Sequence, residues 1–165
     1  MPEFVTTIPN FWEEDLAQHT YAREVDWSAK NFDHLNKDDY NNGRLLQSFN
    51  EELPDSDAFK GVLDAHTASV SWTCIQPNVI LPTHKDTFYT LRQEHQVELD
   101  DCYRYLIFLE DWEFGQFVGF EEALGLERWV AGDTFKFTGH EMHFAVNASA
   151  VNFHKIGRAS CRERV

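Results

Sequence analysis

Residues 67–74 read Thr-Ala-Ser-Val-Ser-Trp-Thr-Cys, with polar and apolar side chains in alternation. Successive side chains of a β-strand point to opposite faces, so this period of two predicts a strand with one buried face. Further strand patterns follow at 79–91, 102–110, 116–120, 127–130, 134–138, 142–148 and 151–156. Turn-forming residues separate them at 77–78, 111–115, 131–133 and 138–139. This number of short strands predicts a mainly β protein built as a jelly roll or small barrel.

The first 66 residues have a helical character. Asn10 is suited to cap a helix that starts at Phe11 and runs to about Glu24, because Glu13 follows three residues later and acids fill the first turn. A second helix is predicted over 55–66, where apolar residues recur at helical spacing. We expect one domain over 1–155, with N-terminal helices (1–66) supporting a jelly roll (67–155).

Composition restricts the partners. The chain has 165 residues and a net charge of −14, which disfavours nucleic acid as a partner because phosphate binding needs a basic surface. It contains no apolar run near the ~20 residues of a membrane span, and we expect no signal peptide. The three cysteines, Cys74, Cys102 and Cys161, lack metal-type or redox-type spacing, which favours a reduced cytoplasmic setting. The expected partner is a small molecule or a peptide, and the sequence leaves the oligomeric state open.

The last ten residues, 156–165, differ from the rest of the chain. They bring three arginines and no aromatic residue, and they resemble the in-frame translation of a sequencing adapter, as found at the ends of metagenomic reads. We therefore expect residues 156–165 to be an artefact and leave them out of the predicted fold.

A second stretch, Pro-Thr-His-Lys-Asp-Thr-Phe-Tyr at 82–89, contains candidate metal ligands. In an extended segment His84 and Asp86, two residues apart, project to the same face. An imidazole nitrogen beside a carboxylate oxygen supplies two of the three ligands of a facial metal site.

The third ligand is sought among the four later histidines, at positions 95, 140, 143 and 154. His143 is favoured because it opens the apolar segment 143–147, where a strand would carry it into the interior. His140, only three residues earlier in a turn, remains an alternative. His95 lies in a polar stretch that is typical of an exposed loop.

The order His84-Lys85-Asp86 and then His143 resembles the HxD…H triad of the Fe(II)/2-oxoglutarate-dependent oxygenases, of the prolyl-hydroxylase-like and phage type. The likeness extends to 8–11, to 106–112 with Gly115, to 129–133 and to 143–147, and covers roughly residues 67–155. The resemblance implies a double-stranded β-helix, a cupin-like jelly roll, with Fe(II) bound by His84, Asp86 and His143.

The resemblance also implies an activity. Members of the family use Fe(II), 2-oxoglutarate and dioxygen to hydroxylate an aliphatic carbon of an amino acid, peptide or other small molecule, and they release succinate and CO2. Halogenating relatives replace the carboxylate ligand with a small residue, so the presence of Asp86 implies hydroxylation. The alternative is a non-catalytic, metal-binding jelly-roll binding protein.

The family further needs a cation for the distal carboxylate of 2-oxoglutarate. Lys155, twelve residues beyond His143, is the first candidate, and Arg104 and Tyr89 are alternatives. Asn147 shares the His143 face of its strand by the period of two, so it is a further candidate to line the site.

Overall fold

The computed structural model describes residues 1–28, 43–63 and 68–162. The strands are β1 Glu3–Thr7, β2 Arg23–Glu24, β3 Leu45–Phe49, β4 Ala68–Ile75, β5 Val79–His84, β6 Cys102–Phe108, β7 Gln116–Phe120, β8 Ala123–Leu126, β9 Asp133–Thr138, β10 His143–Asn147 and β11 Phe153–Cys161. The helices are α1 Glu13–Gln18, α2 Ser56–Gly61 and α3 Tyr89–His95, and 3-10 turns occur at Asn50–Glu52 and Leu99–Asp101.

The strands form two antiparallel sheets. The larger sheet has seven strands in the order β1-β9-β6-β11-β4-β3-β2, and the smaller has four in the order β5-β10-β7-β8. Neighbours in the sheets are far apart in the chain, as in β10 against β5 and β11 against both β4 and β6. This is the double-stranded β-helix, or jelly roll, and the predicted fold class is confirmed.

The space between the sheets holds an apolar core at one end. Phe108 stacks on Trp129 with ring centroids 3.8 Å apart, and Phe153 stacks on the same indole at 5.2 Å. Leu106, on β6, and Val118, on β7, are also buried there. Phe108 and Phe153 both belong to the large sheet, so these close contacts pack Trp129, from the segment before β9, against that sheet.

The outer face of the large sheet is covered by the N-terminal segment. The Oδ1 atom of Asn10 accepts hydrogen bonds from the amides of Trp12 and Glu13, both at 3.1 Å, but α1 begins at Glu13 with Trp12 as its N-cap residue, two residues later than the sequence predicts. The Trp12 side chain is 1% exposed and donates its indole N–H to the carbonyl of Leu109 at 2.8 Å. The helix thereby anchors the N-terminal segment to the sheet.

The first third of the chain contains less helix than the sequence predicts. Helix α1 stops at Gln18 instead of Glu24, and Arg23–Glu24 pairs as β2 with β3. Strands β1, β2 and β3 all join the large sheet, so residues 1–66 do not supply helices alone. Pairing with open sheet edges outweighs a helix propensity worth only tenths of a kcal/mol per residue. Helix α2 is likewise shorter than predicted, and positions 64–66 of that prediction lie outside the described residues.

The strand that carries the metal motif also ends early. It was predicted over 79–91, but β5 stops at His84 and α3 follows at Tyr89–His95, so His95 is helical and not in a loop. Phe88 between them has a φ of 50°, a left-handed backbone that breaks the strand. A strand was also predicted at 127–130, whereas the structure forms β8 just before it at Ala123–Leu126.

The last strand extends beyond the predicted domain boundary at residue 155. Strand β11 continues through 156–161 and pairs in register with both neighbours, for example Ile156 opposite Trp72 of β4 and Ile107 of β6. The end of the jelly roll is therefore corrected to Cys161. Residues 163–165 of the excluded segment lie outside the described residues.

Candidate metal centre

His84 and His143 face each other across two neighbouring strands. They are register partners at the end of the β5–β10 ladder, and their ring centroids lie 4.3 Å apart. The chain leaves β5 at His84, so Asp86 can turn back toward both rings. The Oδ1 atom of Asp86 lies 3.6 Å from Nε2 of His84 and 3.8 Å from Nε2 of His143. Three ligand atoms, all within 4.8 Å of one another, converge as the motif predicts.

The second nitrogen of each imidazole is already occupied. His84 Nδ1 lies 2.7 Å from the carbonyl oxygen of Pro82, and His143 Nδ1 lies 3.1 Å from that of Glu141. A carbonyl oxygen only accepts, so each Nδ1 carries the hydrogen and each Nε2 keeps a free lone pair. Metal-binding histidines are oriented in this way by a hydrogen bond from the other ring nitrogen. Two such nitrogens with one carboxylate fit a divalent metal ion.

The protonation states also suit a cation. Burial lowers the pKa of His143 to about 4, and it lowers the pKa of His84 as well, so both rings are neutral at pH 7. Burial alone would raise the pKa of Asp86, but the charge and the hydrogen bond of the Arg104 guanidinium lower it to about 2. The apoprotein therefore holds its three ligands deprotonated at neutral pH.

The triad opens into a cavity of about 140 Å³ between the two sheets. Its lining includes residues from both sheets: Gln47, Phe49, Ser71, Thr73, Leu81, His84, Asp86, Arg104, Leu106, Val118, Phe137, His143, Ala145, Lys155 and Gly157. The large sheet contributes both cations, Arg104 from β6 and Lys155 from β11. The small sheet contributes His84 and His143, and Asp86, which follows the end of β5, contacts Arg104.

The two cations have different environments. Arg104 donates through Nε to Oδ2 of Asp86 in a partly buried ion pair. In the described part of the chain, the ion pairs and hydrogen bonds of the cavity do not include Lys155. Burial and the charge of Arg104 lower the pKa of Lys155 to about 8 despite the opposing effect of Asp86. Lys155 is thus still largely an ammonium group at pH 7, and the described ion pairs of Asp86 do not include it.

Two predicted site residues lie away from the cavity. Tyr89 is 71% exposed at the first position of α3 and is not part of the lining. Asn147 is fully buried at the far end of β10, where its Nδ2 donates to the carbonyls of Ile75 at 2.7 Å and Val151 at 2.8 Å. Asn147 therefore binds protein backbone instead of a ligand in the cavity.

The other histidines are separate from the triad. His140 is exposed and pairs with Asp100 outside the barrel. His154 lies on the outer face of β11, where Nδ1 is 2.8 Å from Oε2 of Glu110. Burial would lower the pKa of His154, but hydrogen bonds with Cys74 and Glu110 raise it to about 9. Of the two histidines left open by the sequence, His143 is the one beside His84 and Asp86.

Ser71 and Thr73 of β4 are lining residues that the sequence analysis missed. Their strand alternates as predicted, but its apolar residues Val70 and Trp72 face the N-terminal cluster outside the barrel. The polar alternates therefore face the cavity. The period of two separates the faces of a strand but does not tell which face is enclosed when both are covered.

No protein-family model matches the sequence, and no curated protein matches it. Among solved structures, the fold is similar to KdgF from Halomonas sp. (14% identity, 78% of this chain and 92% of that chain, TM-score 0.43). It is also similar to a conserved protein with a double-stranded β-helix domain from Klebsiella pneumoniae (14% identity, 77% and 88%, TM-score 0.45). A third is a Cupin 2 conserved barrel domain protein from Salinispora arenicola (15% identity, 76% and 84%, TM-score 0.43). These likenesses concern the fold alone.

In the described ranges, no helix has the length and apolar character needed to cross a membrane.

Proposed function

We propose that the protein is an Fe(II)- and 2-oxoglutarate-dependent dioxygenase that hydroxylates an aliphatic carbon of an amino acid, a peptide or another small molecule. The observation that carries this proposal is the presence, in one cavity, of two neutral imidazoles, the Asp86 carboxylate and Lys155, an ammonium group for which the described contacts include no ion pair.

His84, Asp86 and His143 would hold the metal through Nε2, Oδ1 and Nε2. Bound Fe(II) would supply the coupling of dioxygen reduction to the oxidative decarboxylation of 2-oxoglutarate, which yields succinate, CO2 and a hydroxylated product. Three protein ligands on one side leave coordination positions for other molecules. The hydrogen bonds to Pro82 and Glu141 keep both rings turned toward the cavity.

Lys155 would bind the distal carboxylate of 2-oxoglutarate. An ammonium group in a poorly hydrated cavity gains from a carboxylate partner, because the partner offsets the burial that lowers its pKa. Ser71 and Thr73, on the neighbouring strand, add hydroxyl groups to the same wall. Apolar side chains such as Leu81 and Phe137 exclude water from the rest of the cavity.

An anaerobic titration tests the proposal. Fe(II) is added to the apoprotein, 2-oxoglutarate follows, and the visible spectrum is recorded for the wild type, His84→Ala and His140→Ala. We expect a weak charge-transfer band that requires both additions, disappears in His84→Ala and persists in His140→Ala. His140 is the matched control because it lies near His143 in sequence but points to solvent.

A band that is absent while Fe(II) still binds would contradict the oxygenase proposal and would favour a non-catalytic metal-binding jelly roll. A band unaffected by His84→Ala would contradict the proposed ligand set.

A further inference from the structure

The two carboxylate oxygens of Asp86 have different partners. Oδ1 faces the Nε2 atoms of His84 and His143, whereas Oδ2 accepts the Nε–H of Arg104. The Asp86 side chain is 11% exposed and that of Arg104 is 21% exposed, so water competes little for this contact. A charged hydrogen bond in such a setting fixes the carboxylate plane more firmly than a surface ion pair does.

Arg104 is itself held from two sides. Its guanidinium carbon lies 5.4 Å from the ring centroid of Phe88, within the range of a cation–π contact. On the other side it passes over Gly157, where a Cβ atom would come within 2.5 Å of Nη1 of Arg104. Phe88 reaches its position through a left-handed backbone, φ 50°, which is costly for a bulky residue. The contact with Phe88 and the close approach to Gly157 thus restrict the position of the guanidinium group.

We propose that Arg104 is a positioning residue for the metal centre: it occupies Oδ2 of Asp86 so that the carboxylate offers only Oδ1 to the metal. This assigns Arg104 a role different from that of a 2-oxoglutarate ligand and leaves the carboxylate of the cosubstrate to Lys155. The inference rests on the metal-binding part of the proposed function and is independent of the identity of the cosubstrate.

Because Arg104 is positively charged, its removal can either strengthen or weaken metal binding, and the direction of the change tests the inference. A guanidinium group next to a divalent cation repels it, so removing the charge alone would tighten metal binding. If Arg104 orients Asp86, its removal would free the carboxylate and weaken metal binding instead, as loss of an orienting partner typically does by about 10- to 100-fold. Lys155 provides the matched control, since it is a second cation of the cavity without a hydrogen bond to Asp86 among the described contacts.

The experiment is a Co(II) titration of the apoprotein followed by visible absorbance and calorimetry. We expect Arg104→Met to weaken Co(II) binding at least tenfold and to alter the d–d spectrum, and Arg104→Lys to recover part of the affinity. Lys155→Met should bind Co(II) as tightly as the wild type or more tightly. Thermal unfolding of each apoprotein serves as the check on folding.

A second variant keeps the test valid if Arg104→Met does not fold. Gly157→Ala retains the guanidinium charge but would place a Cβ atom within 2.5 Å of Nη1 of Arg104, so the side chain must shift, and we expect the disturbed contact with Asp86 to weaken Co(II) binding as well. Unchanged or tighter binding in Arg104→Met, or in Gly157→Ala where Arg104→Met is unfolded, would overturn the inference. Loss of metal affinity without any 2-oxoglutarate binding would support the role of Arg104 and contradict only the oxygenase proposal. A wild type that binds no Co(II) would overturn both.

Discussion

The two ends of β10 carry polar side chains on the same face and use them in opposite ways. His143 and Asn147 are four residues apart and both are buried. The Nε2 atom of His143 faces the cavity, with Oδ1 of Asp86 3.8 Å away. Asn147 uses Nδ2 for two backbone carbonyls, and its Oδ1 accepts from the amide and the hydroxyl of Ser149 at 3.1 and 2.6 Å.

The contrast between His143 and Asn147 separates a candidate ligand from a structural polar residue. A buried polar group that stabilises the fold has its hydrogen-bonding capacity filled by the protein. A buried group that binds a ligand keeps an atom unfilled, at a cost in stability to the empty protein. Asn147 belongs to the first kind, and we propose that His143 and Lys155 belong to the second.

The largest expected effect is on metal binding. His143→Ala should lower Fe(II) or Co(II) affinity by more than 100-fold, because it removes one of three converging ligands. Asn147→Ala should leave that affinity within about threefold, since the side chain lies outside the cavity. Isothermal titration under anaerobic conditions measures both. Equal losses in the two variants would show that the ends of the strand are not functionally distinct.

The next effect concerns Lys155. Lys155→Met should weaken 2-oxoglutarate binding to the metal-loaded protein by about 100-fold, as expected for a lost charged contact worth about 3 kcal/mol. The same variant should raise the free energy of unfolding of the apoprotein, because burial lowers the pKa of this lysine to about 8 and thus opposes its charge. Ligand titration measures the expected loss of 2-oxoglutarate affinity, and urea unfolding measures the expected rise in the free energy of unfolding. A destabilised variant would contradict this account of Lys155.

Asn147 gives a purely structural effect. Asn147→Ala leaves the carbonyls of Ile75 and Val151 without their donor and should lower the free energy of unfolding by about 2–3 kcal/mol. Asn147→Asp should cost more at pH 7, since a carboxylate would then face two carbonyl oxygens. Urea unfolding curves provide the values. A loss below about 0.5 kcal/mol in both variants would contradict the structural role.

The smallest effect is a pH dependence. Burial lowers the pKa of His143 from 6.5 to about 4, so between these values the unfolded chain binds a proton that the folded chain does not. The stability penalty of this group is absent above pH 6.5 and grows as the pH falls toward 4.

At pH 5 it amounts to about 2 kcal/mol. His143→Leu should therefore lose less stability than the wild type between pH 7 and pH 5, by about this amount. Urea unfolding at the two pH values, with His140→Ala as the exposed control, measures the difference. If the wild type and His143→Leu lose the same free energy of unfolding between pH 7 and pH 5, the low pKa of His143 is contradicted.

The metal triad could be predicted from the sequence because it depends on local rules. The spacing of His84 and Asp86 and the position of His143 at the start of an apolar strand are visible in the sequence. The strand register then brings the histidines opposite each other. The jelly roll itself followed from the number of short strands and the turns between them.

Other features depend on contacts that a sequence does not show. Asn147 shares a face with His143, but a strand is long enough for its two ends to have different surroundings. Tyr89 was expected near the cavity, but the chain turns at Phe88 and carries it to the surface. The N-terminal strands and the polar lining at Ser71 and Thr73 likewise depend on which elements pack on each sheet.

The most direct test of the central claim is an anomalous-scattering map from crystals grown without oxygen in the presence of Mn(II) and 2-oxoglutarate. We expect one metal peak bound by Nε2 of His84, Oδ1 of Asp86 and Nε2 of His143, with the distal carboxylate of 2-oxoglutarate on Lys155 and Arg104 still on Oδ2 of Asp86. A metal bound elsewhere, or a triad that remains without metal at saturating Mn(II), would contradict it.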